Sequence, residues 1–236
     1  MIKPKNALTS EQKRLDVDLW IIILSSLAVF MLFAIFGEQI SSFIEDSNIH
    51  ILPRVLVSAT FEYGLAGLGI TIVCILRKES FLSYRLRFKG IVPTIALSVL
   101  CFVPYIIFLA VTKQLTGYAP LSVKTTPDVL AAGFPINVIG MLITGVSWGF
   151  FEGFNYVVIS DKINKRYPSK NKWLNWGAIV CTVFCILIHG AIGITSEGFF
   201  EMLCVIFIIY GMLMVKEYTK NSWGCVFIFL FLWNAL

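Results

Sequence analysis

Seven apolar stretches, residues 18–36, 53–76, 90–112, 131–159, 173–194, 197–215 and 221–236, occupy most of the 236-residue chain. About 17–25 mostly apolar residues suffice to cross a bilayer as a helix. Lipid offers the backbone no hydrogen-bond partner, and a helix satisfies its polar groups within itself. The expected fold class is therefore all-α: a polytopic transmembrane helix bundle of about seven spans, forming one domain over residues 1–236. Charged residues make up only 14% of the chain, against about 25% in soluble domains. Pro93, Pro104 and Pro135 fall within or at the start of spans, where membrane helices tolerate them.

Lysine and arginine predict the orientation. Residues 1–16 hold four (Lys3, Lys5, Lys13, Arg14), residues 77–89 five, residues 162–172 five and residues 216–220 two. The alternate loops hold only Arg54, Lys113 and Lys124. Positive charge collects on the cytoplasmic side. The chain is therefore expected in the cell membrane as a multi-pass protein, its amino terminus cytoplasmic and its carboxyl terminus outside. Trp20, Trp173, Trp176 and Trp223 lie at the expected cytoplasmic ends of spans, as interfacial anchors do. The net charge of +5 belongs to this pattern, and no nucleic-acid partner is expected. The first apolar run has no small-residue cleavage site behind it and reads as a retained span. The segment 117–128 reads as an outer loop joining two spans.

Ionisable groups inside spans are costly, and by default they mark function. Glu152 lies in Gly-Phe-Phe-Glu-Gly-Phe-Asn-Tyr (149–156), and His189 in the next span. At 1.5 Å per residue, Glu152 lies about 21 Å above Arg166 and His189 about 26 Å above Lys172. Glu62, Glu201 and Asn234 come out at about 20–22 Å by the same measure. Five polar side chains on five spans thus share one level. Each also has a structural reading, as a hydrogen-bonded group that ties helices together. Gly145, Gly149 and Gly153 offer either a break in the fourth span or a close-packed face. The six cysteines lie in apolar runs without a CxxC pair, as small core residues do. Cys181, Cys185 and His189 share a helical face at i, i+4 and i+8. A metal site there is the alternative to core packing, and none is assigned.

The order of a glutamate-bearing span, a basic turn, a histidine-bearing span and a final span ending near asparagine resembles the CAAX prenyl protease and bacteriocin-processing family of intramembrane proteases. The resemblance covers residues 131–236. The family motifs are EExxxR, FxxxH and HxxxN or HxxxD. Here they read Phe-Glu-Gly-Phe-Asn-Tyr (151–156), Cys-Ile-Leu-Ile-His (185–189) and Leu-Phe-Leu-Trp-Asn (230–234). Glu152, His189 and Asn234 are retained; Tyr156 stands at the arginine position, Cys185 at the phenylalanine and Leu230 at the histidine. The resemblance implies that Glu152 and His189 activate water and that Asn234 stabilises the oxyanion, with Tyr156 at the altered arginine position as a supporting polar group; shared depth adds Glu62 and Glu201 as supporting polar groups. A zinc ion would require Glu62 or Glu201 as a third ligand, because catalytic zinc usually has three protein ligands.

The function implied is an intramembrane endopeptidase with reduced or lost activity. Its partners would be membrane lipid and a peptide or lipidated protein substrate. The alternative is an inactive relative that binds a membrane peptide, confers bacteriocin immunity or acts as a scaffold. A small proton-coupled transporter using Glu62, Glu152 and His189 is a further alternative, though the sequence carries no inverted repeat to support it.

Overall fold

A computed structural model describes residues 8–190 and 193–236, and the apolar stretches there become helices with no strand among the described residues. Lys3 and Lys5 of the charge count lie outside the described residues. Helix α1 (Ser10–Glu45) begins at a reciprocal cap: the Thr9 hydroxyl accepts from the Gln12 N–H, and the Gln12 side chain accepts from the Thr9 N–H. Its 36 residues make it about 54 Å long, well beyond a hydrocarbon core of about 30 Å. The middle of α1 exposes Leu24, Leu27, Phe30, Met31, Leu32 and Phe33. Such a surface suits lipid rather than water.

The second rod, Ile51–Arg77, is α2 (Ile51–Glu62), a π-helical turn (Tyr63–Gly67) and α3 (Leu68–Arg77). Helix α4 (Ile91–Val111) follows, then the short α5 (Thr126–Ala131). The next rod is α6 (Ile136–Thr144), a second π-turn (Gly145–Phe151) and α7 (Glu152–Arg166). Then come α8 (Trp176–Ile188), α9 (Ser196–Thr219) and α10 (Trp223–Ile228), which ends in a third π-turn, Phe229–Trp233. Five of these rods are long and apolar enough to cross a membrane. Trp176–Ile188 and Trp223–Trp233 are apolar but shorter.

Local chemistry explains the shortening. Asn175 caps α8, accepting from the Ala178 N–H at 2.8 Å, so the helix starts three residues later than the apolar run. Gly190 follows its C-terminus at a φ of 65°, the left-handed conformation that closes helices. The fourth rod begins at Ile136 rather than 131, beyond Gly133 at a φ of 72°. It continues past 159 through a polar stretch held by ion pairs.

The core lies where α4, α7, α8, α9 and α10 meet, around fully buried Phe102, Phe154, Ile208, Met212 and Phe229. Helix α1 packs outside it against α3 and α7. Polar contacts gather at both ends of the bundle. At the end near the amino terminus, Asp18 meets Arg77 at 2.7 Å and Lys162 at 2.9 Å, Asp16 meets Arg166 at 2.6 Å, and Arg85 meets Glu217 at 2.8 Å. At the far end Arg54 donates to the Ile44 carbonyl at 2.6 Å and to Asp128 at 2.8 Å, and Lys124 pairs with Glu45.

Candidate functional site

Helices α7 and α8 form an antiparallel hairpin with residues at spacings of four facing one another. At its turn the Asn164 side chain donates to Asn175 at 2.7 Å and accepts from the Gly177 N–H at 2.8 Å. Gly177 sits so close to Ser160 that a Cβ there would lie 2.3 Å from the Ser160 carbonyl oxygen. One turn on, Cys181 Sγ donates to the Tyr156 carbonyl at 3.6 Å. The same register sets Glu152, two turns beyond Ser160, opposite Cys185, and His189 comes one turn further along α8, with its Nε2 3.6 Å from Glu152 Oε1. That is ion-pair range but long for a hydrogen bond. The Glu152 side chain is 10% exposed and that of His189 37%, so the carboxyl is enclosed while the imidazole is partly open.

Three π-turns converge on this pair. Glu62 immediately precedes the first, Glu152 immediately follows the second and Asn234 immediately follows the third. The first and second touch through Tyr63 and Phe151, edge to face at 4.8 Å. The second and third touch through Gly149, where a Cβ would fall 2.2 Å from Leu230 Cδ2. Gly153 packs against the Cys225 carbonyl and Val226 in the same way. The glycines thus line a close-packed face, while the rod widens into a π-turn over Gly145–Phe151 instead of breaking. π-turns interrupt a helix at an energetic cost and recur at functional sites.

Each sequence candidate has a definite place. The Glu62 carboxyl lies within electrostatic range of Glu152. The Tyr156 ring is buried and stacked on Phe229, with centroids 5.3 Å apart, one turn from Glu152. The His189 ring lies edge to face against Trp233 at 5.4 Å. Asn234 is the next residue, and its carbonyl accepts from the Ser122 N–H at 2.7 Å. Loop 113–125 therefore straps the carboxyl-terminal segment, and Leu121 of that loop reaches Gly145. Glu201 lies beside Tyr105 and Cys204 at the seam of α4 and α9.

The zinc arrangement does not fit. Among the described residues, no three His, Cys, Asp or Glu side chains are grouped to hold a metal ion. Five of the six cysteines are buried and all are free.

The charge count overlooked a buried polar cluster at the near end. Lys162 lies on α7 with Glu152 and is 2% exposed. It bridges Asp18 and Glu79, and Glu79 accepts from the Tyr84 hydroxyl. Burial pushes the Glu79 carboxyl up, but donation from Tyr84 and Lys162 outweighs it and holds the carboxyl below its ordinary range. The signal in the sequence was Asp18, an acidic residue at the start of the first apolar run. Compared with known proteins, the chain matches no family model, no curated protein and no solved structure.

Proposed function

We propose that this chain is an intramembrane endopeptidase of the CAAX-protease-like kind. Glu152, relayed by His189, takes a proton from water as that water attacks a membrane-proximal peptide carbonyl. The carbonyl oxygen becomes the oxyanion that the Asn234 side chain stabilises. The protonated Glu152–His189 pair then returns the proton to the departing amine, so the water is divided between the two product ends. The observation that carries this reading is the Glu152–His189 contact at 3.6 Å, set where three π-turns meet. Proton transfer in such chemistry needs base and partner in this range, with final tightening on substrate binding. The substrate is a membrane peptide or lipidated protein.

One observation favours an inactive, peptide-binding relative, in an immunity or scaffold role. Leu230, at the position where the resemblance expects histidine, fills the notch at Gly149. A missing oxyanion donor typically costs about 10²–10³ in rate. Both readings place the chain in the cell membrane in about seven passes with its amino terminus cytoplasmic. The separate polar contacts at the two ends of the bundle support that path, with the two short rods as partial passes.

Hydrolysis of prenylated and simple membrane peptides by the purified protein distinguishes the readings. Slow cleavage that vanishes in Glu152→Gln and His189→Ala, and rises in Leu230→His, supports the peptidase. Cleavage unchanged in both site variants refutes the site. Absence of cleavage in every variant, with peptide binding retained, selects the binding reading.

A further inference from the structure

The loop between α3 and α4 is fastened from behind and open in front. Asn221 is fully buried, and its side-chain amide donates to the Arg87 carbonyl at 2.7 Å and the Lys89 carbonyl at 3.0 Å. Ser222 adds an N–H to the Arg85 carbonyl at 3.1 Å and a hydroxyl to the Tyr84 carbonyl at 2.6 Å. The backbone on both sides of Phe88 is thereby fixed, yet Phe88 itself is 85% exposed between exposed Arg87 and Lys89.

Charge pairing leaves these two cations free, as it does the exposed near-end residues Lys13, Arg14, Lys78, Lys170 and Lys172 among the described residues; what sets Arg87 and Lys89 apart is the fastened backbone around Phe88. The near-end carboxylates Asp16, Asp18, Glu79, Asp161 and Glu217 are all in ion pairs. Arg85 belongs to Glu217. Arg87 and Lys89 form no ion pair among the described residues. At the far end Arg54 and Lys124 are both paired, and Lys113 is exposed without an ion-pair partner among the described residues. The fastened loop thus holds exposed Phe88 between two cations that form no ion pair among the described residues. An aromatic ring at a bilayer interface sits at headgroup depth, and unpaired cations beside it meet lipid phosphate.

We propose that the Arg87–Phe88–Lys89 knuckle docks anionic phospholipid headgroups of the leaflet at the near end. Phe88 enters the acyl boundary while Arg87 and Lys89 bind the phosphate. This proposal is independent of any activity at Glu152.

The test uses the full chain in detergent micelles, with lipid retention read by native mass spectrometry. The probes are phosphatidylglycerol, phosphatidylcholine and free glycerol phosphate. Phosphatidylglycerol is expected to bind more tightly than phosphatidylcholine. Arg87→Gln with Lys89→Gln is expected to weaken phosphatidylglycerol about 25-fold, from two charges each contributing about fivefold. Lys113→Gln, an exposed cation at the far end, should leave it unchanged, and Phe88→Ser should weaken both lipids. The proposal is overturned if the double variant retains phosphatidylglycerol like wild type, if the two lipids bind equally, or if glycerol phosphate competes as well as the lipid.

Discussion

Replacing Asp18 with asparagine should destabilise the protein more than any other single change of a near-end charge. Asp18 is 1% exposed and accepts from Arg77 Nε at 2.7 Å and Lys162 Nζ at 2.9 Å. Asparagine keeps the shape and one acceptor but not the charge. Lys162, itself 2% exposed, would keep only Glu79 at 3.1 Å. Removing one partner of a buried pair costs about 3–5 kcal/mol. Glu79 remains for Lys162, and Arg77 is partly open to solvent, so the expected cost is at the lower end, about 3 kcal/mol. Lys162→Met should cost about half as much or less, because Asp18 keeps Arg77 and Glu79 keeps Tyr84. Combining the two changes should be less damaging than Asp18→Asn alone, since the buried lysine is then gone. Equilibrium unfolding in mixed micelles measures all three, with Lys165→Gln, the exposed partner of Asp161, as the control at about 1 kcal/mol or less. A loss for Asp18→Asn no larger than that of the control would refute the reasoning.

Three further outcomes follow from the same contacts. The Glu79 carboxyl is held low, so its contribution to stability is full above the ordinary value of about 4.3 and is lost as pH falls through the depressed folded one; unfolding midpoints against pH should drop in that acid range, and less steeply in Lys162→Met. Gly177→Ala forces a Cβ to 2.3 Å from the Ser160 carbonyl oxygen, where backbone meets backbone; it should cost about 3 kcal/mol, the upper end for overpacking, and a thermal midpoint equal to wild type would count against the hairpin register. Single cysteines at Ser169 and Tyr118 should be labelled from opposite sides of the membrane, Tyr118 from outside intact cells, and the reverse pattern would invert the proposed orientation.

The sequence made some of this arrangement legible because helix geometry makes it periodic. Glu152, Tyr156, Cys181, Cys185 and His189 fall at spacings of four on two antiparallel helices, so the close contact of Gly177 against Ser160 sets Tyr156 by Cys181 and Glu152 by Cys185, with His189 one turn past it and still 3.6 Å from the Glu152 carboxyl. Rise per residue fixes height but not rotation about the bundle. That is why equal depth alone did not specify the one contact Glu152 makes, with His189 at 3.6 Å. The π-turns were not legible: Gly145 and Gly149 suit a packed face, a break or a widened turn equally well, and only the fit of Leu230 against Gly149 decides among them. Charge was misjudged for a related reason. A lysine near a span end reads as solvated, yet Lys162 and Lys216 are both buried against carboxylates supplied from elsewhere or next door in the chain. Long-range partners such as Asp18 leave no local mark. Among the cations that face outward, Arg87 and Lys89 became distinguishable only once the buried Asn221 amide was seen to hold the backbone on both sides of Phe88.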